Sequence, residues 1–359
     1  MIVSGEGRLE EIYRNLALWL GEDMAKVREC ITSKEVDIFR EGLRLKDYSK
    51  NEQRLRLLIQ PFMGKMSPKT RYFLGTILKK LKTLGHKRDR EERDLVLMNY
   101  LEKIKIDLMA DGINWKGKRT AVCLTHDVDF LEGYRFIPEL VRLEKEFGFR
   151  SSFNLLGNGG YKCDQESIQQ LISEGFEIGL HGYYHDIALG YRDRRTMEWH
   201  IQKALEALPF PIKGFRAPAL AVSESLLTVL NDMGFHYDSS ARVASSFYPG
   251  VGVCLPYRYP GINLWEIPLA IQDDTLFRDF SLSEEEGLET VKGIIKKISS
   301  QGGVSVINTH PCLVRKRLRF YRGLLEFLSQ QENCWVATLR EISDFLGETP
   351  CLSIGSQTV

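Results

Sequence analysis

The chain has 359 residues, 43% hydrophobic and 27% charged, and its 49 basic and 48 acidic side chains leave a net charge of +1. That composition suits one large or two ordinary globular domains and excludes a disordered, collagenous or disulfide-stapled chain. It gives no overall field for nucleic acid, and no nucleic-acid-binding motif is present.

The N-terminus, MIVSGEGRLEEIY, reaches an acid at Glu6 and no apolar run follows. No secretory signal is read there, and no stretch approaches the roughly 20 apolar residues of a membrane span. The expectation is a cytoplasmic protein, with association at a membrane surface left open. Seven cysteines, at 30, 123, 163, 254, 312, 334 and 351, are odd in number, widely spaced and without C-x-x-C. They read as reduced thiols rather than as a disulfide framework or zinc ribbon.

Residues 1–117 read as a helical domain. Ile12, Leu16, Trp19 and Leu20 recur with helical period, as do Phe73, Ile77, Leu81 and Leu84, and then Leu97, Leu101, Ile104 and Leu108. Pro61 and Pro68 are expected to break the run. The charged stretch 79–94 reads as a solvated helix–loop–helix, with a partner-binding or membrane-surface patch as the lesser alternative.

The pattern changes near Lys116–Thr120. Strands are expected at Ala121–Thr125, Ser152–Leu156, Glu177–Leu180, Gly214–Arg216, Phe235–Tyr237, Leu264–Pro268, Val304–Asn308 and Trp335–Ala337. Helices are expected between them, at Pro138–Phe147, Gln165–Glu174, Arg195–Leu208, Ser223–Met233, Ser283–Ser300 and Arg317–Gln330. Alternating strands and helices mean a parallel sheet, because each crossover needs a helix-length connection. The fold class is therefore α/β: a distorted (β/α) barrel of about seven to eight strands over 118–347, preceded by the helical domain and followed by a tail, 348–359.

Unusual polar residues fall at the strand ends: Thr125-His126-Asp127-Val128-Asp129, His181-Gly182-Tyr183-Tyr184-His185, Arg216-Ala217-Pro218-Ala219 and Asn308-Thr309-His310. In a parallel barrel these ends share one face, where active sites sit. His181 and His185, four apart, would share a metal from one side of a helical turn, and an Asp from another strand would complete a His₂-carboxylate site. Three protein ligands leave a position for water, as hydrolysis needs. A further carboxylate can take a proton and a separate histidine can deliver one.

These motifs resemble those of the NodB-like polysaccharide deacetylases, metal-dependent carbohydrate esterases. The resemblance covers about 119–346. It implies that Asp127 is the general base, that Asp129, His181 and His185 hold the metal, and that Arg216 orients the base. It further implies that the Ala219 N–H helps hold the oxyanion and that His310 is the catalytic acid. The activity implied is removal of an acyl group, acetyl first, from an N-acylated sugar or glycan precursor. Zinc suits the ligand set best, with cobalt, nickel, manganese or iron as alternatives. Val128, Gly182 and Ala219 depart from the motifs. The family's Asp-Trp motif, whose Asp braces the catalytic His, has no clear match; Asp238 is the first candidate for that support, ahead of Asp273 and Asp274. His126 is read either as supporting the site or as touching substrate.

Two basic clusters, Arg192-Arg194-Arg195 and Arg315-Lys316-Arg317-Arg319-Arg322, read as solvated helix faces or as a rim for a phosphate-linked sugar. Hydrolysis of a non-sugar amide or a formyl group, and a catalytically silent binding protein on the same fold, are the alternative functions. The sequence marks no oligomeric state.

Overall fold

The computed structural model describes residues 5–43, 50–63, 70, 96–243 and 251–348. The 73–84 repeat, the charged stretch 79–94, Pro68 and the tail from 349 lie outside them.

Five helices precede the sheet among the described residues: α1 (Gly5–Leu20), α2 (Met24–Cys30), α3 (Ser33–Gly42), α4 (Lys50–Met63) and α5 (Val96–Leu108). Their apolar stripes are the reason they pack. Ile12, Leu16, Trp19 and Leu20 of α1 and Leu101 of α5 are fully buried. A capping box between Thr32 and Glu35 starts α3. Pro61 does not break its helix but sits inside the last turn of α4.

The sheet follows: β1 (Thr120–Val128), β2 (Ser152–Leu155), β3 (Glu177–Leu180), β4 (Gly214–Phe215), β5 (Tyr237–Asp238), β6 (Tyr257–Arg258), β7 (Trp265–Glu266), β8 (Leu269–Gln272), β9 (Val304–Thr309) and β10 (Cys334–Val336). The order is β6-β7-β5-β4-β3-β2-β1-β9-β8, with β10 also beside β1, and all pairs are parallel except β6 with β7. Helices lie between the strands, α6 (Leu131–Glu146), α7 (Gln165–Ser173), α8 (Arg194–Ala207), α9 (Glu224–Asp232), α10 (Glu284–Ser300), α11 (Pro311–Val314) and α12 (Leu318–Ser329), and α13 (Leu339–Glu348) follows the last strand. All nine residues of β1 are buried, as expected of a strand covered on both faces.

The sheet curls, and one short segment of chain joins its two sides. β7 pairs with β5, β8 pairs with β9, and only Ile267 and Pro268 separate them. The sequence reading ends this strand at Pro268; the structure carries it on to Gln272. A proline lacks the N–H for a ladder bond, so it sits where the segment passes from one neighbour to the other.

The helical region is fastened to this barrel. The Asn15 side chain accepts from the Arg258 N–H at 2.9 Å and donates to the Arg258 carbonyl at 2.9 Å, as a neighbouring strand would. The Trp19 indole donates to the Pro256 carbonyl at 2.8 Å. The six described cysteines are free thiols. Among the described residues no helix is long and apolar enough to cross a membrane.

Candidate active site and metal centre

Alternation along β1 sorts its polar residues. Asp127 bonds across the strand ends. Its Oδ1 accepts from Asn154 Nδ2 at 2.8 Å and its Oδ2 from Asn308 Nδ2 at 2.7 Å, and Arg216 Nη1 lies 4.0 Å from Oδ2. His126 points the other way, into the helix layer. Its ring nitrogens meet Thr309 Oγ1 and Glu144 Oε1, each at 2.8 Å, and Glu144 also accepts from the Tyr321 and Ser151 hydroxyls. His126 therefore ties β1 to α6 and α12 and does not line the site.

Asp129, His181 and His185 converge. Their ligand atoms all lie within 4.8 Å of one another, with Asp129 Oδ1 at 3.4 Å from His181 Nε2 and 3.8 Å from His185 Nε2. Ligands about 2.0–2.1 Å from a tetrahedral zinc stand roughly 3.3 Å apart, so small adjustments would suffice. Two further observations fit a cation. Asp129 Oδ1 is buried with no hydrogen-bond partner. His181 Nδ1 lies 2.7 Å from the Arg216 carbonyl, which fixes the proton on Nδ1 and leaves Nε2 for the metal. Burial favours the neutral forms of these groups. It lowers the His185 pKa, whereas at Asp129 it is outweighed by His185, His181 and His310, which hold the carboxyl well below the usual range.

The two histidines are not presented by a helical turn as their spacing suggests. His181 leaves β3 and the chain bends irregularly to His185. Gly182 makes the bend at φ +96°, a left-handed conformation that side chains avoid, although a Cβ there would meet nothing closer than 3.5 Å. Glycine suits this bend, and it leaves no hydroxyl there. Gly182→Ser should lower stability by about 1–2 kcal/mol through strain, measurable as a lower denaturant midpoint with an unchanged slope.

His310 opens the last wall. Its Nδ1 lies 2.6 Å from Asp273 Oδ1, its backbone N–H donates to Asp273 Oδ2 at 2.7 Å, and its Nε2 lies 3.9 Å from Asp129 Oδ2. Burial alone would lower its pKa, but Asp273, with Asp129 and Asp274, raises it to about 10, so the ring stays protonated at neutral pH. The ranking of supports is thereby reversed. Asp238 accepts from the Ser240 hydroxyl at 2.8 Å and from the Ser240 N–H at 3.1 Å. The carboxylate on His310 is Asp273, at the end of β8. Asp127 is raised by burial but held below its ordinary pKa by His181, Arg216 and His310, and so stays a carboxylate. Ala219, at φ 51°, lies in the turn after β4.

Asn154 and Gln60 are site residues not singled out from the sequence, which marks Asn308 only as part of its strand end, without a role. Asn154 and Asn308 hold both oxygens of Asp127, and Gln60 of α4 bonds the His185 carbonyl. The basic clusters are largely engaged with their own chain: Arg192 with Asp186, Arg194 with Glu198 and Asp232, Arg315 with Glu132, and Arg322 with Glu146. Arg317 lies over the Phe277 ring.

Residues 116–237 match the polysaccharide deacetylase family model. That segment carries β1 to β4 and the first residue of β5, with Asp127, Asp129, His181, His185, Arg216 and Ala219, and the family resemblance read from the motifs stands over it. The polysaccharide deacetylase fold extends further. A "putative polysaccharide deacetylase" from Mycobacterium smegmatis superposes with a TM-score of 0.57 at 22% identity, covering 66% of this chain and 93% of that one. A "probable polysaccharide deacetylase" from Pseudomonas aeruginosa PAO1 gives 0.55 at 17% identity over 64% and 92%. An allantoinase gives 0.54 at 17% identity over 64% and 91%. No curated protein matches the chain by sequence.

Proposed function

We propose that the protein is a metal-dependent hydrolase that removes an acyl group, acetyl first, from an N-acylated sugar or glycan precursor. The observation that carries this reading is the placement of Asp127 and His310 around the Asp129–His181–His185 group. A held carboxylate and a protonated imidazole at one ligand trio are the base, acid and Lewis-acid site that amide hydrolysis needs.

A divalent ion on Asp129, His181 and His185, with zinc the best match to the donor set, would polarise the acyl carbonyl and acidify water. Asp127 takes the proton of the attacking water. Asn154 and Asn308 aim its two oxygens, and the Arg216 guanidinium, buried beside it, favours the charged form. His310 gives its Nε2 proton to the departing amine, while Asp273 holds Nδ1 and so keeps Nε2 directed into the site. On the family resemblance, the Ala219 N–H in the turn after β4 would help to hold the oxyanion.

Metal content and acyl release test the reading together. Wild-type protein should carry about one divalent ion per chain and release acetate from an N-acetyl sugar; His181→Ala should lose the ion and at least ~10²-fold in rate, since it removes a ligand rather than an outer partner. Because the fold is shared with an allantoinase, a cyclic ureide and a formamide belong in the same substrate panel. A wild-type protein that binds no metal would make the silent binding protein the better reading.

A further inference from the structure

The turn that carries the two histidines is held from two sides. Its first half belongs to the barrel. The His181 N–H donates to the Leu155 carbonyl at 2.8 Å, the Gly157 N–H to the Gly182 carbonyl at 2.9 Å, and the Tyr183 N–H to His200 Nδ1 at 3.1 Å. Its second half, from His185 to Ile187, is held locally by Asp186, which accepts from the Ala188 N–H at 2.9 Å and from Arg192 Nε at 2.9 Å, and from outside by α4, more than a hundred residues earlier in the chain. Gln60, only 5% exposed, spans that half with its one amide. Its Oε1 accepts from the Ile187 N–H at 3.1 Å and its Nε2 donates to the His185 carbonyl at 3.3 Å. One helical turn earlier, Arg56 Nη1 donates to the Ile187 carbonyl at 3.0 Å and lies 3.5 Å from the Ala219 carbonyl.

We propose that α4 is a splint for the metal-binding turn and that Gln60 is the positioning residue that sets His185. This rests on the reading of His185 as a ligand. The physical argument is pre-organisation. His181 follows a strand directly and inherits its rigidity, whereas His185 sits in a bend without regular backbone bonding. A ligand on such a segment must be ordered when the metal binds, and that entropy weakens affinity unless something orders it beforehand. A glutamine amide does this with one donor and one acceptor, both satisfied and both withdrawn from water. Arg56 couples the same bend to the turn that bears Ala219, so one helix face holds both segments. The helical region is then part of the metal centre.

The test is a cobalt(II) titration of the full-length chain. It reads the visible d–d spectrum, affinity by chelator competition, and the melting temperature of the metal-free protein. Gln60→Leu removes both bonds at similar size and should weaken cobalt binding about ten- to a hundredfold, the usual range for a partner outside the ligands, and alter the spectrum. Gln60→Glu keeps only the acceptor for Ile187 and should show a smaller loss. Leu58→Gln, on the 69% exposed position of the same helix, should change neither. Wild-type affinity and spectrum in Gln60→Leu would overturn the proposal, even with a lowered melting temperature, because that is the signature of packing alone. Should Gln60→Leu not fold, the same result in Gln60→Glu overturns it. A wild type that binds no cobalt refutes the ligand reading itself, a failure visible before any variant is compared.

Discussion

Asp127→Asn is expected to abolish turnover while leaving the metal in place. Every ligand of the trio survives the change, so elemental analysis of the variant should match the wild type. The loss in kcat should be about 10²–10⁴-fold, the usual contribution of a general base. The substitution is nearly isosteric but reverses half of the local bonding. Asn154 and Asn308 both donate to Asp127, and an asparagine can accept from only one of them without setting an NH₂ against a donor. A stability cost of about 1–3 kcal/mol follows from that mismatch. Turnover must therefore be compared well below the melting temperature of the variant. Unchanged kcat in a folded, metal-loaded Asp127→Asn protein would remove Asp127 from the role of base.

How much of this was legible depended on whether local periodicity sets the position. The inward face of β1 follows from alternation, so Asp127 and Asp129 could be paired from sequence, and His126 could have been sent outward by the same rule. Asn154 was readable too: β1 and β2 align Asp127 with Asn154, the adjacent strand position on the same face. Asp273 was hidden by Pro268. Once a strand is taken to stop at a proline, the acid five residues later looks like a loop carboxylate, whereas in the structure β8 continues and delivers it to the same rim as the other site residues. The H-x-x-x-H spacing suggested a helix because four residues make about one turn; Gly182 shows that the chain reaches the same end by a left-handed bend. Gln60 and Arg56 carried no readable signal. Polar residues on an amphipathic helix are assigned to water by default, and nothing in a 3.6-residue period tells which of them will meet a bend in a distant part of the chain.

The substitution pair Asp273→Asn and Asp238→Asn should separate the two candidate supports of His310. An acid works only while protonated, so activity falls as pH rises through its pKa. Asp273 is the main reason that the pKa of His310 stands near 10 in spite of burial. Removing its charge leaves burial to push the pKa down, and the alkaline limb of the kcat–pH profile should move to lower pH. At neutral pH kcat should fall by about 10²-fold or more, because the ring also loses the partner that orients it. Asp238→Asn should leave that limb where it is. Burial pushes the Asp238 carboxyl up, and that of its neighbour Glu266 well up, so this pair is disposed to keep a proton rather than to supply a charge to a histidine. Its loss should show in stability, through the bonds to Ser240. A limb that moves in Asp238→Asn and stays fixed in Asp273→Asn would be incompatible with the Asp273–His310 contact. It would require His310 to exchange its carboxylate partner during turnover.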